Sequence, residues 1–289
     1  MDGVIIKAVG GFYFVRAGDQ VFRCSIRGKI RQQKSQAMVG DMVSIILMGD
    51  DDGVVEKILP RRNELVRPLI ANVDQAVVIF ATKQPDPSAL LLDRFLVQVR
   101  AAEITPVICF NKFDLAEKEE PQLISHYDRT GYPVIRVSAK TGQGLESLHI
   151  FLKDRINVLA GPSGVGKSSL LNKLQPGLEL QTGDISRKLQ RGKHTTRHVE
   201  LIPLEQGGLV ADTPGFSNVY LPAMKREELP GYYPEFKSYA DQCRFNGCLH
   251  YREPNCAVKE AVRKERVSML RYQNYLSLLA EVIESERRY

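Results

Sequence analysis

The chain has 289 residues, 43% hydrophobic and 26% charged. That balance excludes a disordered or fibrous polypeptide and suits two or three globular domains at ~100–200 residues each. Forty Lys and Arg oppose 34 Asp and Glu, a net +6, and the excess is concentrated in RGKIRQQK (Arg27–Lys34), SRKLQRGKHTTRH (Ser186–His198) and VRKERVSMLR (Val262–Arg271). Such stretches neutralise phosphates or simply form solvated faces. The opening MDGVIIKAVGGFYF lacks the basic, apolar and small-residue pattern of a secretory leader. No apolar run approaches the ~18 residues of a spanning helix, so a cytoplasmic location is expected.

Residues 1–66 read as five short strands, GVIIKAV, GFYFVRA, QVFRCSI, DMVSIIL and GVVEKIL, alternating in polarity and broken by Gly and Asp. Five strands in so short a stretch predict a small barrel of the OB-fold kind, with RNA as an expected ligand. Phe12, Tyr13, Phe14 and Phe22 are the aromatics available for stacking on bases, although alternation sends some of them inward. From 67 to 222 the pattern changes. AVVIFAT, PVICF, PVIRV and INVLA are continuous apolar strands separated by helical stretches, the pattern of a parallel sheet covered on both faces. Residues 223–289 predict a small, mainly helical domain with a cysteine cluster and one long helix from Ala257 onward.

The chemistry is concentrated in the middle region. After the strand INVLA comes GPSGVGKSS, residues Gly161, Pro162, Ser163, Gly164, Val165, Gly166, Lys167, Ser168 and Ser169. A G-x4-GK[ST] run between strand and helix is a phosphate cradle. Its backbone amides turn inward, Lys167 meets the β- and γ-phosphates, and Ser168 offers its hydroxyl to Mg²⁺. NKFD, Asn111–Asp114, follows the strand PVICF at the carboxyl edge, where ligands of open α/β sheets bind. There Asp114 is able to accept from the two adjacent N–H donors that guanine has and adenine lacks. Asn111 would face the other edge of the base, and the stem of Lys112 would cover the ring. Ser138-Ala139-Lys140 closes the next strand and would present amides to the guanine carbonyl.

Asp212-Thr213-Pro214-Gly215 follows GGLVA, placing Asp212 for the Mg²⁺ shell and Gly215 for the γ-phosphate. Thr195 and Thr196 supply a hydroxyl for the same ion. These elements belong together only if the chain enters the domain at an unusual point, since NKFD precedes the cradle by about fifty residues. A circularly permuted GTPase resolves the order. Phe216 stands where many GTPases have a water-orienting Gln, so another group must perform that task, and His194 is the nearest chemical candidate. Of the cysteines, Cys24 and Cys109 read as buried inert thiols. Cys243, Cys248 and Cys256 with His250 form a Cys3His set suited to one structural zinc.

Permuted order, the N-terminal barrel, GPSGVGKSSLLN, HTTRH, DTPGF and the trailing Cys/His cluster together resemble the small-ribosomal-subunit-dependent GTPase RsgA family, of the YloQ/YjeQ type. The resemblance spans nearly the whole chain. It implies GTP hydrolysis to GDP, stimulated by the small ribosomal subunit and its rRNA during late subunit maturation. It also implies catalysis through His194 and Lys167, zinc on the cysteine cluster, and a monomer without membrane contact. Two rivals are a GTP-gated RNA-binding assembly switch with negligible turnover and an ATP-dependent P-loop enzyme. Asp114 argues against the second.

Overall fold

The computed structural model describes residues 1–28, 37–66, 68–116, 121–177, 199–211 and 220–287. Strands β1 (Asp2–Val9), β2 (Phe12–Ala17), β3 (Gln20–Ile26), β4 (Met42–Leu47) and β5 (Asp52–Ile58) close a barrel in the order β1-β2-β3-β5-β4. The period-2 pattern does what it dictates: Ile5, Val15, Phe22, Cys24, Val43, Ile45 and Val55 all point inward and are buried. Phe22 is therefore core. Phe12 is exposed, with the Arg23 guanidinium 5.2 Å from its ring centre, while Tyr13 and Phe14 are half-buried against the core.

A short hairpin of β6 (Glu64–Val66) and β7 (Leu69–Ala71) leads out of the barrel, and the expected boundary at 66 falls within it. The buried carboxylate of Asp41 accepts from Arg61 Nε at 2.6 Å, and Asn72 Nδ2 donates to the Gly40 carbonyl at 2.9 Å. The hairpin is thus held to the barrel by buried polar groups that are all paired.

The second unit is a six-stranded sheet in the order β10-β9-β8-β11-β13-β12. Its strands are β8 (Gln75–Ala81), β9 (Thr105–Asn111), β10 (Val134–Arg136), β11 (Ile156–Ala160), β12 (Leu201–Pro203) and β13 (Leu209–Ala211). Helices α1 (Ala89–Ala101), α2 (Gln122–Asp128), α3 (Leu145–Leu152) and α4 (Lys167–Leu174) cover it. The continuous apolar strands serve two cores. Val78, Phe80, Ile108 and Phe110 face α1 on one side, while Val77, Ile79, Val107 and Cys109 face α3 and α4 on the other. Every strand pair is parallel except β12–β13, which is antiparallel. The four strands read from sequence are parallel as expected, and β12, three residues ending in proline that carry no pattern, adds the antiparallel edge. An isolated bridge pairs Lys7 of β1 with Glu200, and Lys7 Nζ lies 2.9 Å from the Glu200 carboxylate, tying the barrel to this edge.

The C-terminal region holds α5 (Pro234–Ala240), α6 (Ala257–Arg263) and α7 (Met269–Glu286). The single helix expected from Ala257 onward is broken. Glu265 takes a left-handed conformation (φ 55), Arg266 N returns to the Ala261 carbonyl at 2.9 Å, and the Ser268 hydroxyl caps α7 by accepting from Arg271 N at 3.3 Å. The break turns Val267 into a core residue. The region has an apolar core: Tyr233, Phe236, Tyr275, Leu278, Leu279 and Val282 are buried together with Val97 of α1. Arg271, read from sequence as part of a basic stretch, is completely buried. Its guanidinium donates to Asp93 of α1 and, from Nε at 2.8 Å, to Glu235 of α5.

Candidate nucleotide site and metal centre

Numbered from the strand that enters the phosphate loop, the sheet strands run β11, β12, β13, β8, β9, β10. Connections then leave to opposite sides of the β11–β8 pair, whose carboxyl ends form the crevice where open α/β sheets bind ligands. The loop 161–166 rises from β11 into this crevice. Gly161 has φ 135, and a Cβ there would lie 2.1 Å from the Ile79 carbonyl oxygen, so only glycine permits the loop to leave the sheet this way. Gly166 (φ 93) starts α4, and a Cβ on it would lie 2.4 Å from Asn111 Nδ2.

Lys167, first residue of α4, directs its ammonium to the carbonyls of Gly161 (2.9 Å) and Pro162 (2.7 Å). Burial lowers it to about 8 from an ordinary 10.5. Ser163 and Gly164 are exposed at the loop tip, Val165 is buried beneath it, and Ser168 and Ser169 are half-buried in the first turn of α4. This is a glycine loop opening onto a helix N-terminus with a lysine folded over it, the arrangement that binds anionic phosphates.

The NKFD turn stands beside it. Asn111 ends β9, and its side chain is buried. Nδ2 donates to the Val165 carbonyl at 2.8 Å, and Oδ1 accepts from Ala139 N at 3.1 Å. One amide thus ties the phosphate loop to the 138–140 loop, with one Nδ2 hydrogen still available. Lys112 is left-handed (φ 58) and its ammonium donates to the Gln84 carbonyl. Asp114, in the 3-10 turn Phe113–Leu115, accepts from the Ser138 hydroxyl at 2.6 Å, which in turn accepts from Thr141 N at 3.1 Å. Ser138 and Ala139 are buried, and Lys140 is exposed. Thus Asn111, Lys112, Asp114, Ser138, Ala139 and the whole 161–169 run converge on one edge of the sheet. His194, Thr195, Thr196, Asp212, Gly215 and Phe216 lie outside the described residues.

The four ligand atoms of Cys243, Cys248, His250 and Cys256 all lie within 4.8 Å of one another. Cys243 Sγ is 3.8 Å from Cys256 Sγ and 3.6 Å from His250 Nδ1, and His250 Nδ1 is 3.3 Å from Cys256 Sγ. A tetrahedral ion bound by sulfur and imidazole at ordinary zinc distances has ligand–ligand edges of about 3.5–3.8 Å, so the donors fit. Burial keeps His250 below its ordinary value, favouring the neutral ring that ligates. Surrounding hydrogen bonds hold the ligand loop. Tyr272 Oη donates to the His250 carbonyl at 2.7 Å, and the Glu253 carboxylate accepts from Leu249 N and Tyr251 N at 2.9 and 2.8 Å. The cluster is able to hold one metal ion. Cys24 and Cys109 are buried elsewhere, and burial alone pushes Cys109 up to about 12.

A phosphate loop after β11 and the NKFD turn after β9, on strands flanking β8, reached in reversed chain order and joined through Asn111, define a circularly permuted GTPase. The family model for the RsgA GTPase matches residues 58–222, and that for the RsgA N-terminal domain matches residues 2–55. The chain belongs to the RsgA GTPase family and is a GTP hydrolase. It is 50% identical to "Small ribosomal subunit biogenesis GTPase RsgA" of Geobacillus kaustophilus, over 100% of this chain and 99% of that protein. Among solved structures it is similar to YjeQ from Thermotoga maritima, at a TM-score of 0.85 and 36% identity over 98% of both chains. It is also similar to YloQ, described as a circularly permuted GTPase, at a TM-score of 0.85 and 41% identity over 100% of this chain and 96% of that one.

Proposed function

We propose that this chain binds the small ribosomal subunit and hydrolyses GTP in response to it during subunit biogenesis. The observation that carries the nucleotide reading is the Asn111 amide, which joins the base turn to the phosphate loop. The ribosomal reading rests on the names of relatives that match over their full length. Asp114 accepts from guanine, Lys112 covers the ring, Ser138 and Ala139 line the base, and the 161–169 loop holds the phosphates. The cradle whose glycines exclude a Cβ fits a nucleotide with its magnesium ion. Ser168 would hold that ion together with Asp212 and one of Thr195 and Thr196, and it would supply neutralisation of the developing phosphate charge. His194 orients water in place of the Gln that Phe216 displaces, and contact with the subunit accelerates turnover.

One zinc on Cys243, Cys248, His250 and Cys256 stabilises the 243–256 loop. The units divide as 1–66, 67–222 and 223–289, and the chain works in the cytoplasm as a monomer. No helix among the described residues is long and apolar enough to cross a membrane. The deciding experiment follows phosphate release from GTP and from ATP, with and without purified small subunits. GTP-only release, slow alone and strongly raised by subunits, is expected. Equal rates with and without subunits would remove the ribosomal reading. Loss of the stimulated rate on His194→Ala separates an enzyme from a switch with negligible turnover.

A further inference from the structure

The geometry points to the loop after β8, residues 82–85, as a positioning element of the base pocket, with Thr82 as its positioning residue. This inference rests on the reading that the NKFD turn holds guanine. Lys112 stands in the left-handed region, φ 58 and ψ 36, which a side chain with a Cβ occupies only when its surroundings hold it there. Its carbonyl is gripped from two sides. The Thr82 hydroxyl donates to it at 2.7 Å, and Leu115 N donates at 2.9 Å. The second bond is local to the turn, whereas the first comes from the neighbouring strand.

Thr82 is buried, and its own amide donates to the Asn111 carbonyl at 2.9 Å, so both peptide units preceding Phe113 are fastened to this one residue. Two positions on, the Gln84 carbonyl receives the Lys112 ammonium. Next to it, Pro85 Cδ lies 3.7 Å from where a Cβ on Gly164 would be. The loop therefore reaches from the base turn to the tip of the phosphate loop, at the β11–β8 crevice.

Without the Thr82 hydroxyl, Lys112 is free to leave the left-handed region, and with it goes the alignment of Asp114, whereas the Thr82 amide still holds the Asn111 carbonyl and so leaves the Asn111–Val165 bond in place. The phosphate loop is not bonded to the Thr82 hydroxyl, so the effect of removing that hydroxyl falls on recognition of the nucleoside. The test uses the full chain as unaltered protein and as Thr82→Val, Thr82→Ser, Lys112→Gly and the double variant Thr82→Val/Lys112→Gly. Fluorescent GDP gives affinity, GTP hydrolysis gives kcat and KM, and inorganic tripolyphosphate reports on the phosphate loop by itself.

Thr82→Val is expected to weaken GDP and raise KM by about three- to tenfold, the worth of one hydrogen bond. Expected alongside are an unchanged kcat and unchanged tripolyphosphate binding, with Thr82→Ser restoring affinity. Glycine adopts the left-handed region freely, so in the Lys112→Gly background the Val substitution should cost less than about twofold. If Thr82→Val does not fold, Thr82→Cys, which keeps a weak donor, is read in its place and should show a smaller loss of the same kind. Unaltered GDP affinity in Thr82→Val, an equal loss for tripolyphosphate, or a full Val effect in the glycine background would overturn the inference alone. Absence of GDP binding by the unaltered chain would overturn the guanine reading and the inference with it.

Discussion

Asn111 Nδ2 donates to the Val165 carbonyl at 2.8 Å, joining a guanine turn to a phosphate loop that the chain reaches 54 positions later. The two motifs are therefore one hydrogen-bonded body despite their reversed order. Asn111→Ala leaves the Val165 carbonyl and Ala139 amide unpaired in a buried place, each worth about 1–3 kcal/mol. GDP affinity is expected to fall at least about tenfold, and tripolyphosphate binding to fall with it, because the phosphate loop loses its strut. Titration calorimetry with both ligands checks this, and retained tripolyphosphate affinity would refute the strut.

The pH dependence of binding follows from Lys167. Burial lowers its proton loss to about 8, and anionic phosphates beside it would hold the proton to higher pH. Above 8, binding then takes up a proton, whereas below it the lysine is already charged. Affinity for GDP is accordingly insensitive to this group at about pH 7 and declines by up to about tenfold per pH unit as pH rises through 8. Lys167→Arg, whose charge persists throughout, should bind with a flat profile between about pH 7.5 and 9. A flat profile in the unaltered protein would contradict the assignment.

Between the GTPase sheet and the C-terminal helices lies a fully buried charge cluster. Arg271 meets Asp93 and Glu235, while Asn274 Nδ2 and Tyr127 Oη donate to Asp93 at 2.7 and 2.9 Å. Burial alone would lower Arg271, but the two carboxylates hold it well above its ordinary value, so it stays charged. Arg271→Met leaves two buried carboxylates without a cation and should destabilise the protein by about 3–5 kcal/mol in denaturant titrations. Tyr127→Phe, which removes a single donor, should cost about 1 kcal/mol. Equal costs would show that the cluster is not governed by charge.

Removal of metal gives a local response. Cys248 and Cys256 pack at the edge of the core formed by Tyr233, Phe236, Tyr275 and Leu278, and the apolar packing of those four residues needs no ion. Chelation or Cys256→Ser should raise hydrogen exchange across 243–256 and lower Tm, while α7 stays protected. One zinc per chain is expected by native mass spectrometry of untreated protein. Unfolding of α7 together with the ligand loop would contradict this division.

The nucleotide site was readable where covalent geometry dictates residue type. A cradle around phosphates requires glycines at positions such as 161 and 166, and those residues stand out in the text of the chain. The strut role of Asn111 and the grip of Thr82 left no mark, because both arise from distances between strands that no local pattern encodes. Arg271 looked like surface charge, since its partners lie 178 and 36 positions away. The break at 264–268 escaped for a different reason: Val262 and Leu270, on either side of it, keep near-helical spacing and hide a turn. The C-terminal core escaped because its aromatics are spread over several elements with no common period.

Helix α1 is shared property. Leu92, Phe95, Leu96 and Val99 belong to the core under the GTPase sheet, whereas Val97 packs into the C-terminal core and Asp93, one turn before it, holds Arg271. The family match ending at residue 222 therefore stops short of residues that α1 packs against. A fragment cut there would present Val97 to water and leave Asp93 without its cation. The last sixty-odd residues and the middle of the chain are thus tied through one helix that serves both.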